Sequence, residues 1–177
     1  MIWLNESESG KYDFTYLLKK FGFPDYAKYA NDSNVLYHNT PYRNVDSIVK
    51  NGLRCDLAKA DISSTGVIKH TWATNVPYDQ NKYGGCTVAF RMDADSVRAF
   101  QQNTDQYTII DDVTQNDIVF VDTFVSDREG LRRVSDIPRL IKSVGEQHYR
   151  GVLEQWASRG VELFYDIDTL IEYAKRN

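Results

Sequence analysis

Zinc-binding residue types are scarce in this sequence, and those present lack the spacing of a zinc site. The chain has two cysteines, Cys55 and Cys86, no CxxC pair, and three scattered histidines. No tetrahedral set of ligands can be assembled from these positions, so we expect no bound metal. The two cysteines could form one disulfide, but we expect reduced thiols in a cytosolic chain.

Two further absences concern charge and apolar length. The formal net charge is -4, with +1 in residues 1–90 and -5 in residues 91–177. This distribution does not indicate tight non-specific nucleic-acid binding, although a local basic patch could still exist. No window approaches the roughly 20 apolar residues that a transmembrane helix needs. The first residues have neither the basic flank nor the apolar stretch of a signal peptide, so we expect a cytoplasmic protein with no membrane partner.

The abundant residue types indicate one folded core with helical flanks. Hydrophobic residues make up 42% of the 177 residues, which suits a single domain. Many short strand patterns with few, short helices predict an α+β fold rather than a doubly wound sheet. We expect a helical lead-in over 1–33, a core over 34–126, and a C-terminal helical extension over 127–177 that packs on the core.

Helices are predicted in both flanks, where apolar residues recur every three or four positions. The two clearest apolar faces are Phe14, Leu17, Leu18 and Phe21, and Ile137, Leu140, Ile141 and Val144. The first of these helices is expected to end at Gly22, and a further helix covers about 148–158. Asp25 and Asp168 are predicted to cap two more helices at their N-termini.

Strands are predicted between these flanks from short apolar and β-branched runs. They cover residues 34–38, 67–74, 86–92, 107–110 and 118–124. Thr40 and Pro41 predict the start of a short helix after the first strand, and Gly52 predicts its end. Residues 53–66 are predicted to form a polar loop and residues 96–100 a short helix.

Three of the predicted strands carry motifs that together resemble the ADP-ribosyltransferase superfamily. The motifs are Leu-Tyr-His38-Asn-Thr with a later Gly52-Leu, Trp72-Ala-Thr-Asn with a later Tyr83-Gly, and Gln106-Tyr-Thr-Ile-Ile. Their order and spacing over residues 34–124 are similar to those of the His-Tyr-Glu branch, which includes the poly-ADP-ribose polymerases. The resemblance implies a split β-sheet core with short helices.

The resemblance also implies an NAD-binding cleft and a role for each matched residue. His38 would hydrogen-bond the adenosine-side ribose, and Tyr83 would stack on the nicotinamide ring. The backbone at Asn39, where the family usually has Gly, would bind the nicotinamide amide. Trp72 stands where the family usually has Tyr. The implied NAD-binding residues are His38, Asn39, Thr40, Trp72, Thr74 and Tyr83, and the implied catalytic residues are His38 and Gln106.

Gln106 is the largest departure, because the family has its catalytic Glu at this position. Cleavage of the bond between nicotinamide and ribose builds positive charge on the sugar, as glycoside hydrolysis does. An amide can accept a hydroxyl hydrogen bond, but it supplies no full charge and no general base. Loss of one preorganised electrostatic group typically lowers a rate by about 100- to 1000-fold. Chain-forming activity is therefore not expected.

Several functions stay open at this point. The first is mono-ADP-ribosyl transfer, a glycosyltransferase reaction with NAD as co-substrate and a protein or nucleic acid as acceptor. In that case Asp105, Asp111 or Asp112 could take over from the missing carboxylate. The second is a catalytically inactive module that binds NAD or a partner. The third is RNA 2'-phosphotransfer, although the arginines that this chemistry uses are not recognisable here.

Overall fold

The computed structural model has an α+β fold, which confirms the predicted fold class. It describes residues 12–54, 60–63, 66–69, 71–77, 83–92, 100–101, 106–109, 112–128 and 132–177. The chain divides into two compact units. We call Met1–Asp25 with Asp122–Asn177 the terminal unit and Tyr26–Val121 the central unit. Residues 1–25 and 127–177 of the predicted flanks therefore belong to one unit, an association that no sequence pattern indicated, whereas residues 26–33 belong to the central unit.

The helices and strands are numbered in chain order. The helices are α1 Thr15–Phe21, α2 Val45–Asn51, α3 Ile137–Val144, α4 Glu146–Ser158 and α5 Ile167–Lys175. The strands are β1 Val35–Thr40, β2 Ala60–Ser63, β3 Gly66–Lys69, β4 Thr71–Thr74, β5 Cys86–Arg91, β6 Phe100–Gln101, β7 Gln106–Ile109 and β8 Ile118–Asp122. None of the helices in the described ranges has the length and apolar character that a bilayer crossing requires.

The terminal unit contains four of these helices, and two of its predicted caps need correction. α1 ends at Gly22 as predicted. Asp25 does not cap the next turn, a 3-10 helix over Ala27–Tyr29, because that turn begins one residue later, after Tyr26. The cap of α5 is Asp166, whose carboxylate accepts the Thr169 N–H at 2.9 Å. The prediction of Asp168 was wrong, because α5 begins earlier than expected and Asp168 lies in its first turn.

The core of the terminal unit combines aromatic packing with buried polar contacts. The rings of Phe14 and Phe164 meet edge to face with their centroids 5.3 Å apart. The fully buried Thr123 side chain hydrogen-bonds the Tyr165 hydroxyl. The buried Asp122 carboxylate accepts the Ser135 hydroxyl at 2.6 Å. These polar groups are satisfied within the unit, which is the condition for burying them at little cost.

The central unit is built on a six-stranded sheet with the order β6-β7-β4-β1-β5-β8. β1 pairs with β4 and β5, and β7 pairs with β4 and β6, each time antiparallel. The register of β1 with β5 runs from Val35 opposite Arg91 to Thr40 opposite Cys86. Strands that are far apart in sequence thus lie side by side at the centre of the sheet.

Three local predictions in the central unit were wrong. The expected loop over 53–66 contains β2, which forms a separate two-stranded sheet with β3. The expected single strand over 67–74 is divided into β3 and β4, because the two halves pair with different strands. Phe100, expected in a helix, belongs to β6, and residues 96–99 lie outside the described residues.

The start of α2 also differs from the prediction. Thr40 is the last residue of β1 and not a helix cap. A 3-10 turn over Tyr42–Asn44 follows Pro41 and leads into α2. The Thr40 hydroxyl instead accepts the Asn44 side-chain amide at 3.1 Å. Gly52 ends α2 as predicted, with a φ of 80°.

The two faces of the central sheet pack differently. One face carries a hydrophobic cluster that includes Leu36, Phe90 and Ile109. Tyr37, the next residue along β1, contacts the rings of Tyr26 and Phe120. Because side chains alternate between the faces of a strand, this change of partners from position 36 to 37 is expected. The two faces of β1 therefore pack against different groups of side chains.

Candidate functional site

His38 lies on β1 and its ring is directed toward the neighbouring strand β4. The ring Nδ1 lies 2.7 Å from the backbone carbonyl oxygen of Trp72. A carbonyl oxygen only accepts hydrogen bonds, so Nδ1 carries the proton in this contact. Burial lowers the pKa of His38, and the hydrogen bond to Trp72 opposes that shift only in part. The neutral ring then has an unprotonated Nε2, which is a hydrogen-bond acceptor.

The three motif strands are immediate neighbours in the sheet. Thr74 on β4 is opposite Tyr37 on β1 and also opposite Gln106 on β7. Adjacent strands are about 4.8 Å apart, so the backbone at position 106 lies roughly 10 Å from that at position 37. The structure therefore brings the strands of His38, Trp72 and Gln106 together. The side chain of Gln106 lies outside what the structure describes.

Tyr83 lies next to the end of β1, although it precedes β5 in the chain. The following residue, Gly84, has a φ of 135° and leaves no room for a side chain. A Cβ atom there would stand 2.1 Å from the carbonyl carbon of Thr40 and 2.3 Å from the nitrogen of Pro41. The segment that contains Tyr83 therefore lies directly against the end of β1. Tyr83 itself is 51% exposed, so its ring is accessible from solvent.

Asn39 connects the same two segments through its side chain. Its Nδ2 donates a hydrogen bond to the Gly84 carbonyl oxygen at 3.3 Å. The Asn39 side chain is 4% exposed, so it is part of the packed structure rather than a surface group. Sequence reasoning missed this contact, because it joins residues that are 45 positions apart.

Thr40 and Thr74 have hydroxyl groups that already bond within the central unit. Thr40 accepts from Asn44, and the Thr74 hydroxyl donates to the Val76 carbonyl oxygen at 2.7 Å. Both side chains are almost completely buried. These contacts help to fix the ends of β1 and β4, and the binding of NAD by Thr40 and Thr74 stays a prediction.

The remaining predicted residues fall in different places. Trp72 is half-buried on β4, and its backbone carbonyl oxygen contacts the His38 ring. Asp112 is exposed, whereas Asp105 and Asp111 lie outside the described residues. Val76, which the sequence analysis did not select, is 43% exposed shortly after β4. Cys86 is a buried thiol at the start of β5, and Cys55 lies outside the described residues.

Neither metal chemistry nor sequence similarity assigns a function to this site. Within the described ranges, no group of three or more His, Cys, Asp or Glu side chains is arranged to hold a metal ion. The chain matches no protein-family model, and no curated protein is similar to it. The features that bear on function are therefore the motifs and the geometry of β1, β4 and β7.

Proposed function

We propose that the protein is an NAD-dependent mono-ADP-ribosyltransferase with the split-sheet core of that family. The observation that carries the proposal is the adjacency of β1, β4 and β7, the strands of the three motifs. Antiparallel pairing places positions 37, 74 and 106 in one row across the sheet. This row joins the backbone of the first and third motifs, which are more than 60 residues apart in the chain.

The protonation state of His38 favours a hydroxyl-bearing ligand. A neutral ring whose Nδ1–H bonds the Trp72 carbonyl presents only an acceptor, Nε2, to a ligand. A ribose hydroxyl donates to such an acceptor. A phosphate dianion instead requires donors or positive charge. The geometry at His38 therefore supports ribose binding.

Tyr83 supplies the second feature that suits NAD. Its ring is half exposed beside the end of β1, where a flat base can stack on it. The pyridinium ring of NAD is positively charged, and the face of a tyrosine ring attracts cations. After the bond between nicotinamide and ribose breaks, the neutral nicotinamide loses this attraction. Tyr83 thus favours the substrate over the released product.

Gln106 determines which reaction this site would support. The base leaves from the ribose and a nucleophile on the acceptor replaces it, while positive charge develops on the sugar. An amide at position 106 can orient a ribose hydroxyl by accepting its hydrogen bond, but it stabilises the charge weakly. We therefore propose slow, single transfers in the cytoplasm to a protein or nucleic-acid acceptor, without chain growth.

A labelling experiment with NAD tests the proposal. Purified protein is incubated with adenylate-labelled NAD and cell lysate, and the label is followed into protein and nucleic acid. We expect label that is lost in His38→Ala and kept in His148→Ala, a substitution at an exposed histidine. Gln106→Glu should raise the rate by about 100-fold. No label at high protein concentration, with no NAD binding by calorimetry, would contradict the proposal.

The same experiment identifies the non-catalytic alternative. Binding of NAD by calorimetry without label in any acceptor would mean that the amide at position 106 leaves a binding module. Activity gained only in Gln106→Glu would support that conclusion further. The two functions therefore differ in a measurement made on the same variants.

A further inference from the structure

We propose that Asn39 is a positioning residue that orients Tyr83 toward the nicotinamide end of bound NAD. The inference rests on the proposed function for its ligand, but its structural basis is independent. The Asn39 amide and the Gly84 carbonyl oxygen join the end of β1 to the Tyr83 segment. Asn39 stands at the position where the resembling family usually has glycine, which has no side chain to make this connection.

The orientation of the Tyr83 ring depends on how its backbone is held. With half of its surface in solvent, the ring depends more on its backbone for orientation than a buried ring does. Gly84 sets that backbone by its left-handed φ and by its close approach to Thr40 and Pro41. A close approach prevents compression but does not by itself prevent separation. The Asn39 hydrogen bond adds an attraction just beyond the last ladder pair of β1 and β5, Thr40 with Cys86.

The position of this connection in the sheet also matters. Asn39 immediately follows His38, and Thr40 pairs with Cys86, the first residue of β5. The connection therefore links the ring that stacks on the base to the strand whose histidine binds the ribose. Since both rings must contact one ligand at once, a small shift of Tyr83 relative to β1 weakens binding.

The test begins with a measurement that needs no ligand. Asn39→Asp keeps the size of the side chain but removes the donor to the Gly84 carbonyl. Asn34→Asp makes the same chemical change at an exposed position before β1 and is the matched control. We expect amide hydrogen exchange at residues 83–85 to rise by about three- to tenfold in Asn39→Asp only, because a typical hydrogen bond contributes about 1 kcal/mol. Unchanged exchange in a folded Asn39→Asp variant would overturn the inference.

The second measurement asks whether Asn39 acts through Tyr83. Calorimetry should show that Asn39→Asp weakens NAD binding by about three- to tenfold in the wild-type background. In the Tyr83→Ala background the same substitution should have less than about a twofold effect, because the ring it positions is absent. An equal loss in both backgrounds would show that Asn39 acts on NAD directly, and would also overturn the inference.

The outcomes separate this inference from the proposed function. If the wild type does not bind NAD but residues 83–85 lose protection in Asn39→Asp, Asn39 still holds the Tyr83 segment and the proposed function fails. If NAD binds while neither exchange nor affinity responds to Asn39→Asp, the proposed function stands and the positioning role fails. Asn39→Ser, whose hydroxyl is too short to span the contact, replaces Asn39→Asp if that variant does not fold.

Discussion

Glycines with a left-handed backbone occur in both units, but their surroundings differ. In the terminal unit, a Cβ atom added to Gly22 or Gly145 would meet nothing within 4 Å among the described residues. In the central unit, a Cβ atom would stand 2.0 Å from the Val113 carbonyl oxygen at Gly52 and 2.1 Å from Thr40 at Gly84. In the terminal unit these glycines end helices, whereas in the central unit they bring two backbones together, and Gly52 also ends α2.

Polar side chains show a related difference between the units. In the terminal unit, Thr123 and Tyr165 bond each other in the interior. In the central unit, Asn39 bonds a backbone carbonyl beside the half-exposed Tyr83. The first arrangement stabilises a closed core, and the second fixes groups at an open edge. In the central unit, the close approach at Gly84 and the buried contact of Asn39 both lie in the region of the candidate site, whereas the close approach at Gly52 lies beside Val113.

The largest difference between the units is expected when one methyl group is added to a glycine in each. Gly84→Ala adds a clash with Thr40 and Pro41 to the strain of a positive φ, and should lower the free energy of unfolding by about 3 kcal/mol. Gly22→Ala has strain but no clash, and should cost about 1 kcal/mol. Denaturant unfolding of both variants measures the difference. Equal losses would mean that the close approach at Gly84 has no energetic consequence.

A smaller effect is expected from the buried hydroxyl pair of the terminal unit. The Thr123 hydroxyl donates to the Phe124 carbonyl oxygen at 3.1 Å, so it accepts the hydrogen of Tyr165. Thr123→Val leaves the Tyr165 hydroxyl without this acceptor and should cost about 2 kcal/mol. Tyr165→Phe removes the donor and should cost about 1 kcal/mol.

The double substitution provides the check on that pair. Its cost should be clearly less than the sum of the two single costs, because neither variant group is left with a missing partner. Thermal or denaturant unfolding of the three proteins gives the coupling energy. Additive costs would show that the two hydroxyls do not interact, and the closed core of the terminal unit would then need another explanation.

Much of the local structure could be predicted from the sequence, because it follows from nearby residues. The apolar faces of α1 and α3 and the glycine stop of α2 depend on contacts within one or two turns. The cap of α5 could not be chosen by pattern alone, since Asp166 and Asp168 are both suitable caps. The choice depends on a tertiary contact, in which the Asp166 N–H donates to the Thr15 hydroxyl at 2.9 Å.

The candidate site shows the same division between local and distant information. The motifs on β1, β4 and β7 are visible in the sequence, and the resemblance predicts that they meet. Their adjacency depends on strand pairing over long sequence separations, which spacing alone cannot predict. The contact between Asn39 and Gly84 has no local signal at all, apart from the glycine pair that follows Tyr83. The roles of His38 and Gln106 in catalysis stay predictions.

The smallest effect on the free energy of unfolding at neutral pH is expected from substitution of His38. Its pH dependence shows whether the central unit holds this ring neutral. Burial lowers its pKa below the usual value of 6.5. As pH falls below 6.5, the unfolded chain therefore binds a proton before the folded chain does. The stability that the neutral ring contributes is present above 6.5 and is lost as pH falls toward the lowered pKa. The slope from one such group cannot exceed about 1.4 kcal/mol per pH unit.

Unfolding free energies measured from pH 8 to pH 5 test this expectation in two histidine variants. His38→Gln keeps a side-chain N–H for the Trp72 carbonyl but does not titrate, so its stability should fall less on acidification than that of the wild type. His148→Gln, at an exposed position of the terminal unit, should follow the wild-type curve. If His38→Gln instead follows the wild type, the ring is not held neutral. Nε2 of a protonated ring carries a hydrogen, and it could then not accept a hydrogen bond from a ribose hydroxyl.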